Sequence, residues 1–281
     1  MKFGMKIIVS IVGMVLISSS FIVAACFGRE RLVTEKWYIQ DPTVAKQESE
    51  WKTGIAPEIW FTWWESVTHE YRTYKEEYSN IKAYLGGVNL HFSKGKDTVF
   101  AGLRLGEYTA DLVYDYGSLG RYDLDFNAGR FELDLRLRHL YPGAFGLTRA
   151  VPYLIGGLFY TIDVQISRFL TGPAADSEYE DVFSAITPGL GVGLLYPFSD
   201  HSGMRIDVGM GPSFLNRECV TYDNYRYSET DTGFVLQNHC TFYHLFSENF
   251  NAQFGYKFQY LDAEWGILPI FGGFVMLGYS F

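Results

Sequence analysis

The chain has 281 residues, a formal net charge of −9 and an isoelectric point near 5.2, which excludes the basic face that nucleic-acid binding requires. Aromatic residues make up 18% of the sequence, and 29 glycines stand against 9 prolines. This composition is typical of β-strands bordered by aromatic girdles. The length suits one large β domain.

The N-terminus has the three parts of a secretory signal peptide, which we assign to residues 1–25. Two lysines precede an apolar run at residues 7–17, and small residues lead to Ala25. The apolar run is also close to the length of an uncleaved anchor. Cleavage after Ala25 would leave Cys26 first, and residues 23–26 resemble a loose bacterial lipoprotein motif. A lipidated Cys26 and an ordinary signal peptide both remain open.

Residues 26–52 are polar, and we interpret them as a periplasmic leader or tether. Within residues 53–281, ten runs alternate apolar and polar side chains with the period of two that belongs to a strand. They predict an all-β fold, an antiparallel up-and-down transmembrane β-barrel of about ten strands, with eight or twelve left open. The runs lie near residues 55–66, 83–93, 99–114, 122–140, 151–166, 186–196, 204–211, 232–245, 250–260 and 270–281.

The clearest alternation is at residues 130–140, where four apolar residues alternate with two acids and two bases. On a lipid-facing surface each basic residue costs about 2–4 kcal/mol at the midplane. Together the four charges would cost about 10 kcal/mol, which is comparable to the whole stability of a domain. We therefore expect the charged face to line the inside of a closed barrel. The predicted lumen charge network comprises Arg104, Glu132, Asp134, Arg136, Arg138, Arg205, Asp207 and Lys257.

A barrel of this size is little wider than the eight-stranded kind, whose interior side chains just fill it. Glycines on the inward face of the sixth and seventh runs leave space for long Arg side chains. The hypothesis is that the interior polar network plugs or narrows the lumen. In the third and fourth runs the apolar set changes parity at Leu112 and Leu124. That change predicts β-bulges near Gly106 and Gly129 and a hairpin whose upper half projects into solvent.

The connections between runs alternate in length. Short turns near residues 94–97, 197–203 and 246–249 alternate with longer polar segments at 67–80, 167–182 and 216–231. Short periplasmic turns and long external loops are typical of bacterial barrels. The long loops contain tyrosines that predict a surface contact, because Tyr gives rigid amphipathic contact area. An outer interfacial girdle would account for them equally well. They are Tyr71, Tyr74, Tyr78, Tyr222, Tyr225 and Tyr227.

Cys219 and Cys240 would lie in an oxidising compartment, which permits a disulfide. Pairing the flanking strands by their ends places Cys240 opposite a residue near Met210, well below Cys219. A bridge would then need the loop to fold back onto the wall. The sequence leaves open whether the two cysteines pair.

The chain ends on four alternating apolar and aromatic residues, Val275, Leu277, Tyr279 and Phe281. This pattern resembles the C-terminal recognition strand of bacterial outer-membrane β-barrels, such as the OmpA-like, OmpX-like and opacity-type small barrels. Residues 152–157 and 189–196 are also similar to segments of those families. The resemblance implies residence in the bacterial outer membrane. It also implies two partners, outer-membrane lipid and the barrel assembly machinery, with the four terminal residues as the assembly signal.

Three functions are compatible with such a barrel. The first is a structural or adhesin-like surface-interaction barrel that binds an extracellular ligand or a host surface. The second is a narrow pore for ions or small solutes, lined by the charged residues. The third is an outer-membrane hydrolase. The Asp-x-His motif of omptin proteases does not occur, however, and residues 91–93, which look like the His-x-Ser motif of lipid A deacylases, fall at the periplasmic end of their run, where His91 begins the motif. We expect no catalytic site.

No metal-ligand spacing, phosphate loop or nucleotide fingerprint occurs in the sequence, so neither a metal nor a cofactor is expected. A soluble periplasmic barrel or sandwich tethered through Cys26 is the alternative architecture. It would need polar outer faces, and the ninth run, which is aromatic along one side, argues against it.

Overall fold

The structure, a computed structural model, describes residues 51–70, 75–115, 117, 120–147, 150–171, 178–220, 226–263 and 266–281. Ten antiparallel strands within these residues form one closed ring, because each strand pairs with the next in sequence and the first pairs with the last. The prediction of a ten-stranded all-β barrel is confirmed. The strands are β1 (Lys52–Glu70), β2 (Lys75–Lys94), β3 (Asp97–Asp115), β4 (Arg121–Leu140), β5 (Val151–Phe169), β6 (Glu178–Pro197), β7 (Ser202–Val220), β8 (Arg226–Leu245), β9 (Phe250–Ala263) and β10 (Gly266–Ser280).

The strands are longer than the sequence predicted. Each of β1 to β8 has 19 or 20 residues, whereas a tilted strand crosses a bilayer in about 9–11. The prediction of loops at residues 67–80, 167–182 and 216–231 is therefore wrong over much of these ranges, because the strands continue into them. Within the described part of the chain, no helix has the length and hydropathy to cross a bilayer.

The barrel divides into two halves of opposite polarity, which β3 and β4 define. In the membrane half, residues 97–106 and 130–140, the outward side chains are apolar; Leu105 and Leu137 are more than half exposed. In the outer half, residues 107–115 and 121–129, the inward side chains are apolar instead, and Leu112 is 1% exposed. An exposed apolar surface of the first kind marks contact with a membrane or another protein, and on the outside of a closed barrel it indicates lipid. The outer half has the polarity of a protein in water.

This change of polarity occurs without any bulge in β3 or β4. Their register runs unbroken from Asp97 opposite His139 to Asp115 opposite Arg121, so the bulges predicted near Gly106 and Gly129 are wrong. The parity of the apolar residues changes because the surroundings of the strands change. A register shift does occur in β2, between residues 79 and 82.

The pairing of β6 with β7 is interrupted at two prolines. The register runs to Ile186 opposite Phe214 and resumes at Leu190 opposite Met210, leaving residues 187–189 and 211–213 unpaired between these two strands. The same register places Pro188 opposite Pro212, and neither has a backbone N–H to donate. On the inward side, Thr187 Oγ1 donates a hydrogen bond of 2.8 Å to Ser213 Oγ across the gap.

Aromatic side chains border the membrane half at the end that carries the short turns. Phe246 and Phe250 stack with ring centroids 5.4 Å apart, and Tyr279 contacts Phe281 edge-on at 5.2 Å. Aromatic belts of this kind lie at the level of lipid headgroups. Together with the apolar wall above it, this belt marks the position of the bilayer around the barrel.

Candidate functional site: the charged lumen

All eight residues of the predicted charge network lie on the inward face of the membrane half. The register explains this placement, because residues of even number on β3 and β4 face the same side as residues of odd number on β7 and β9. Glu132 is 1% exposed and Arg138 is 2% exposed. Ions buried to this extent are tolerated only when other polar groups surround them.

Glu58 on β1 holds one centre of the network. Its Oε2 accepts from Arg104 Nε at 2.8 Å, and its Oε1 accepts from Lys257 Nζ. Asn89 Nδ2 donates to Glu58 Oε2 at 2.6 Å, and Asn89 Oδ1 accepts from Arg104 Nη2 at 3.2 Å. This centre joins side chains from β1, β2, β3 and β9.

Arg104 links that centre to a second group nearer the outer half. Its Nη1 lies 3.5 Å from Glu132 Oε2 and 3.7 Å from Asp134 Oδ2. Glu132 Oε1 accepts from Arg130 Nε at 2.7 Å, and Arg130 Nη1 lies 3.3 Å from Asp163 Oδ2 on β5. Acids and bases therefore alternate through space, although the two acids Glu132 and Asp134 are neighbours on the inward face of β4.

Arg136 crosses the lumen. Its guanidinium pairs with Asp134, with Nη2 to Oδ2 at 2.6 Å, and reaches β8, where Nη1 lies 3.0 Å from His239 Nδ1 and Nη2 lies 3.4 Å from Gln237 Oε1. Strands β4 and β8 are four positions apart in a ring of ten. The Arg136 side chain therefore spans the part of the barrel interior that separates these two strands.

A cavity of about 120 Å³ lies beside Arg136 inside the barrel. Arg138 borders it, with Nη2 donating to Thr98 Oγ1 at 3.2 Å and its guanidinium 5.5 Å from the centre of the Tyr153 ring. Tyr153 OH donates to Asp207 Oδ2 at 3.3 Å, and Arg205 donates to the Gln253 side-chain oxygen. Among the described residues, no group of three or more His, Cys, Asp or Glu side chains is arranged to hold a metal ion.

The sequence prediction missed several members of this network. Alternation along the first and fifth runs already placed Glu58 and Asp163 on the polar face, so that signal was present. The contacts made by His239 and Gln253 depend on distances across the barrel that no local pattern contains. The members missed are Glu58, Asn89, Arg130, Asp163, Gln237, His239 and Gln253.

Two of the tyrosines predicted as surface contacts do not lie in exposed loops. Tyr78 lies in β2 and packs edge-on against Phe126 inside the outer half, with centroids 5.5 Å apart. Tyr227 lies in β8, half-buried, 5.8 Å from the Arg217 guanidinium. For these two the prediction is wrong, because the strands extend through the expected loops. The other four, Tyr71, Tyr74, Tyr222 and Tyr225, lie outside the described residues.

Cys219 and Cys240 are both free. Cys219 lies inside the outer half opposite Tyr227, whereas Cys240 lies on the outward face opposite Ile206, and it is Leu236 that pairs with Met210. The two cysteines thus lie on different faces of the sheet and at different heights, which a disulfide cannot span. Burial raises the pKa of the Cys219 thiol, which favours its protonated form.

The remaining predicted residues lie at the two ends of the chain. Val275, Leu277, Tyr279 and Phe281 all face outward and are about half exposed or more, as a lipid-facing strand requires. Their role as an assembly signal stays a prediction. Cys26, the signal peptide and most of the leader lie outside the described residues.

No protein-family model matches the chain, and no curated protein matches it. Among solved structures, the outer membrane protease OmpT from Escherichia coli is similar over 83% of this chain and 97% of its own, with a TM-score of 0.57 and 10% identity. The outer membrane protein OprG from Pseudomonas aeruginosa covers 82% of this chain and 95% of its own, with a TM-score of 0.41 and 12% identity.

The attachment invasion locus protein Ail of Yersinia pestis covers 82% of this chain and 98% of its own, with a TM-score of 0.34 and 8% identity. At these identities the likeness concerns the fold alone. The fold agrees with the apolar wall and the aromatic belt, both of which require a bilayer around the membrane half. The chain therefore has the fold of the bacterial outer-membrane β-barrel proteins and belongs in that membrane.

Proposed function

We propose that this protein is a surface-interaction barrel with an obstructed lumen, which uses its projecting outer half to contact an extracellular ligand or a host surface. The observation that carries the proposal is the polarity of the outer half. Its interior holds a buried apolar cluster around Leu112, Leu124 and Phe126, while Asp111 and Asp125 face outward and are exposed. A wall built in this way holds its shape in water and presents its outer rim to the surroundings.

A partly buried ion pair supports the same half on the other side of the ring. Arg217 on β7 donates to both carboxylate oxygens of Asp181 on β6, at 3.1 and 2.8 Å. A bidentate pair of this geometry fixes the orientation of both strands. Strands β6 and β7 are thus braced above the bilayer as β2 to β4 are, and the connections at their tips are carried on a rigid base.

The test replaces two connections at the outer ends of the strands, here called the tips, and leaves the strands themselves unchanged. Residues 71–74 and 221–225 are exchanged for Gly-Ser segments of equal length, and bacteria that display each form are tested for binding to epithelial cells and extracellular matrix. The matched control exchanges the periplasmic turn at residues 246–249. We expect the tip variant to lose at least tenfold in binding and the control to keep it. Equal binding by the tip variant and the unaltered protein would contradict the proposal.

A narrow pore is the second candidate, and the lumen cavity favours it. Five cationic side chains line that cavity, so a residual passage would discriminate between ions by charge. Planar-bilayer recordings separate the two candidates. A conductance of nanosiemens size for one barrel would contradict an obstructed lumen. If the lumen is a narrow pore, replacing Arg136 and Arg138 with Ala raises the conductance or changes its ion preference.

A further inference from the structure

We infer that the lumen cavity is a binding site for a small tetrahedral oxyanion, such as inorganic phosphate or sulfate. This inference goes beyond the proposed surface function and does not depend on it. It rests on the balance of charge around the cavity, on the donors that line it and on its size.

The cavity has more positive than negative side chains around it. Its cationic lining is Arg104, Arg136, Arg138, Arg205 and Lys257. Its carboxylates are Glu58, Asp134 and Asp207. Five cations against three carboxylates leave two positive charges in excess. The adjoining layer adds one base, Arg130, and two acids, Glu132 and Asp163, so one positive charge remains in excess over these eleven lumen groups.

The pairing of the carboxylates concentrates the excess positive charge on one side of the cavity. Glu58 forms ion pairs with both Arg104 and Lys257. Asp207 shares the cavity lining with three guanidiniums, those of Arg136, Arg138 and Arg205, and its Oδ1 lies 3.9 Å from Arg136 Nη1.

One carboxylate cannot offer bidentate geometry to three guanidiniums, because it has two oxygens and each fork needs both. A tetrahedral anion offers more acceptor oxygens, in more directions. Its charge would also offset the excess that the carboxylates leave. The charge at this corner of the lumen therefore favours an added oxyanion.

The lining also supplies neutral polar groups and enough room. The hydroxyl of Thr241 and the amides of Asn89 and Gln253 border the cavity alongside the guanidiniums. Its volume of about 120 Å³ is well above the roughly 10–15 Å³ that a cavity needs to hold one water. Donors placed on several sides suit phosphate or sulfate better than a spherical halide, since guanidinium forks match oxyanion geometry.

The test is calorimetric titration of the full mature chain, refolded in detergent micelles, with sodium phosphate and with sodium sulfate. Sodium acetate and sodium chloride at matched ionic strength are the comparison arms. We expect saturable binding of phosphate or sulfate, at least tenfold tighter than of acetate or chloride. Absence of saturable heat with both tetrahedral anions would overturn the inference, and so would equal affinity for all four.

Three variants locate the site. The double change Arg138→Gln and Arg205→Gln should weaken binding at least tenfold. Arg217→Gln, a matched change in the outer half, should leave binding unaltered. Asp207→Asn should tighten binding about tenfold, because it removes the carboxylate that competes for the same guanidiniums.

The opposite signs of these effects keep the test decisive. If the double variant does not reach the heat-modifiable folded form on a gel, Asp207→Asn alone decides. Weaker or unchanged binding by that variant would overturn the inference, whatever the result of the adhesion experiment.

Discussion

In the membrane half charged side chains fill the inside and apolar ones cover the outside, whereas in the outer half this arrangement is reversed. Both halves are built from the same ten strands, and on β3 and β4 the register continues across the boundary without a break. The backbone ladder therefore does not determine which face is apolar. The solvent outside does, since lipid excludes charge from the wall and water does not.

The largest expected effect comes from breaking the charge network in the membrane half. Glu58→Gln would leave Arg104 and Lys257 without their shared carboxylate, and removing one partner of a buried ion pair costs about 3–5 kcal/mol. Glu107→Gln, an exposed outward residue in the outer half, is the matched control. Urea titration in micelles, followed by heat-modifiable migration, should show a much lower midpoint for the first variant only. Equal midpoints would mean that the network is not a stabilising element.

A charge placed on the outer surface sharpens the comparison. Leu135→Arg puts a base on the lipid-facing wall of β4, at an expected cost of about 2–4 kcal/mol. Asn127→Arg puts the same residue on the same face of the same strand, eight residues higher, where water receives it. Folding yield into lipid vesicles should fall for the first variant and not for the second. A similar yield for both would place the bilayer boundary elsewhere.

A smaller effect separates the two apolar environments. Ile81→Val removes one methylene from the cluster inside the outer half, and such a change typically costs about 1 kcal/mol. Ile59→Val removes the same group from the lipid-facing wall, where lipid chains fill the space and the loss should be close to nothing. Unfolding midpoints in lipid vesicles measure both, and equal losses would contradict the assignment of the two faces.

The smallest expected effect concerns the cysteines. A Cys26→Ser chain that keeps only Cys219 and Cys240 should migrate identically with and without reductant, because the two thiols lie on different faces of the wall. A faster band that appears only without reductant would show a bridge and contradict this placement. Alkylation after unfolding should label both thiols.

The alternation of residues predicted the ring, about ten strands and the inward face of the eight charges assigned to the lumen, because period two is a local property of a strand. The change of parity at Leu112 and Leu124 was also visible in the sequence. It was taken for bulges because the surroundings of each strand were assumed to be uniform along its length. The same assumption turned the upper parts of β2 and β8 into loops and placed Tyr78 and Tyr227 at the surface.

The contacts between side chains in the lumen could not be predicted from the alternation, for a different reason. Arg136 meets His239 and Gln237 only because closure of the ring brings β4 within reach of β8. Residue spacing along one strand contains no measure of that width. Likewise, the position of Asp207 in one cavity with several guanidiniums follows from the radius of the barrel and the stagger of its strands.

The opposed prolines, Pro188 and Pro212, give the ring a place of lower cohesion. Neither can donate to the other strand, and the hydroxyl contact between Thr187 and Ser213 is the cross-link that bridges their gap. Two strands separate most easily where few amide hydrogens bond across them. Along the β6–β7 seam, residues 187–189 and 211–213 should therefore exchange their amide hydrogens sooner than the paired residues on either side of them.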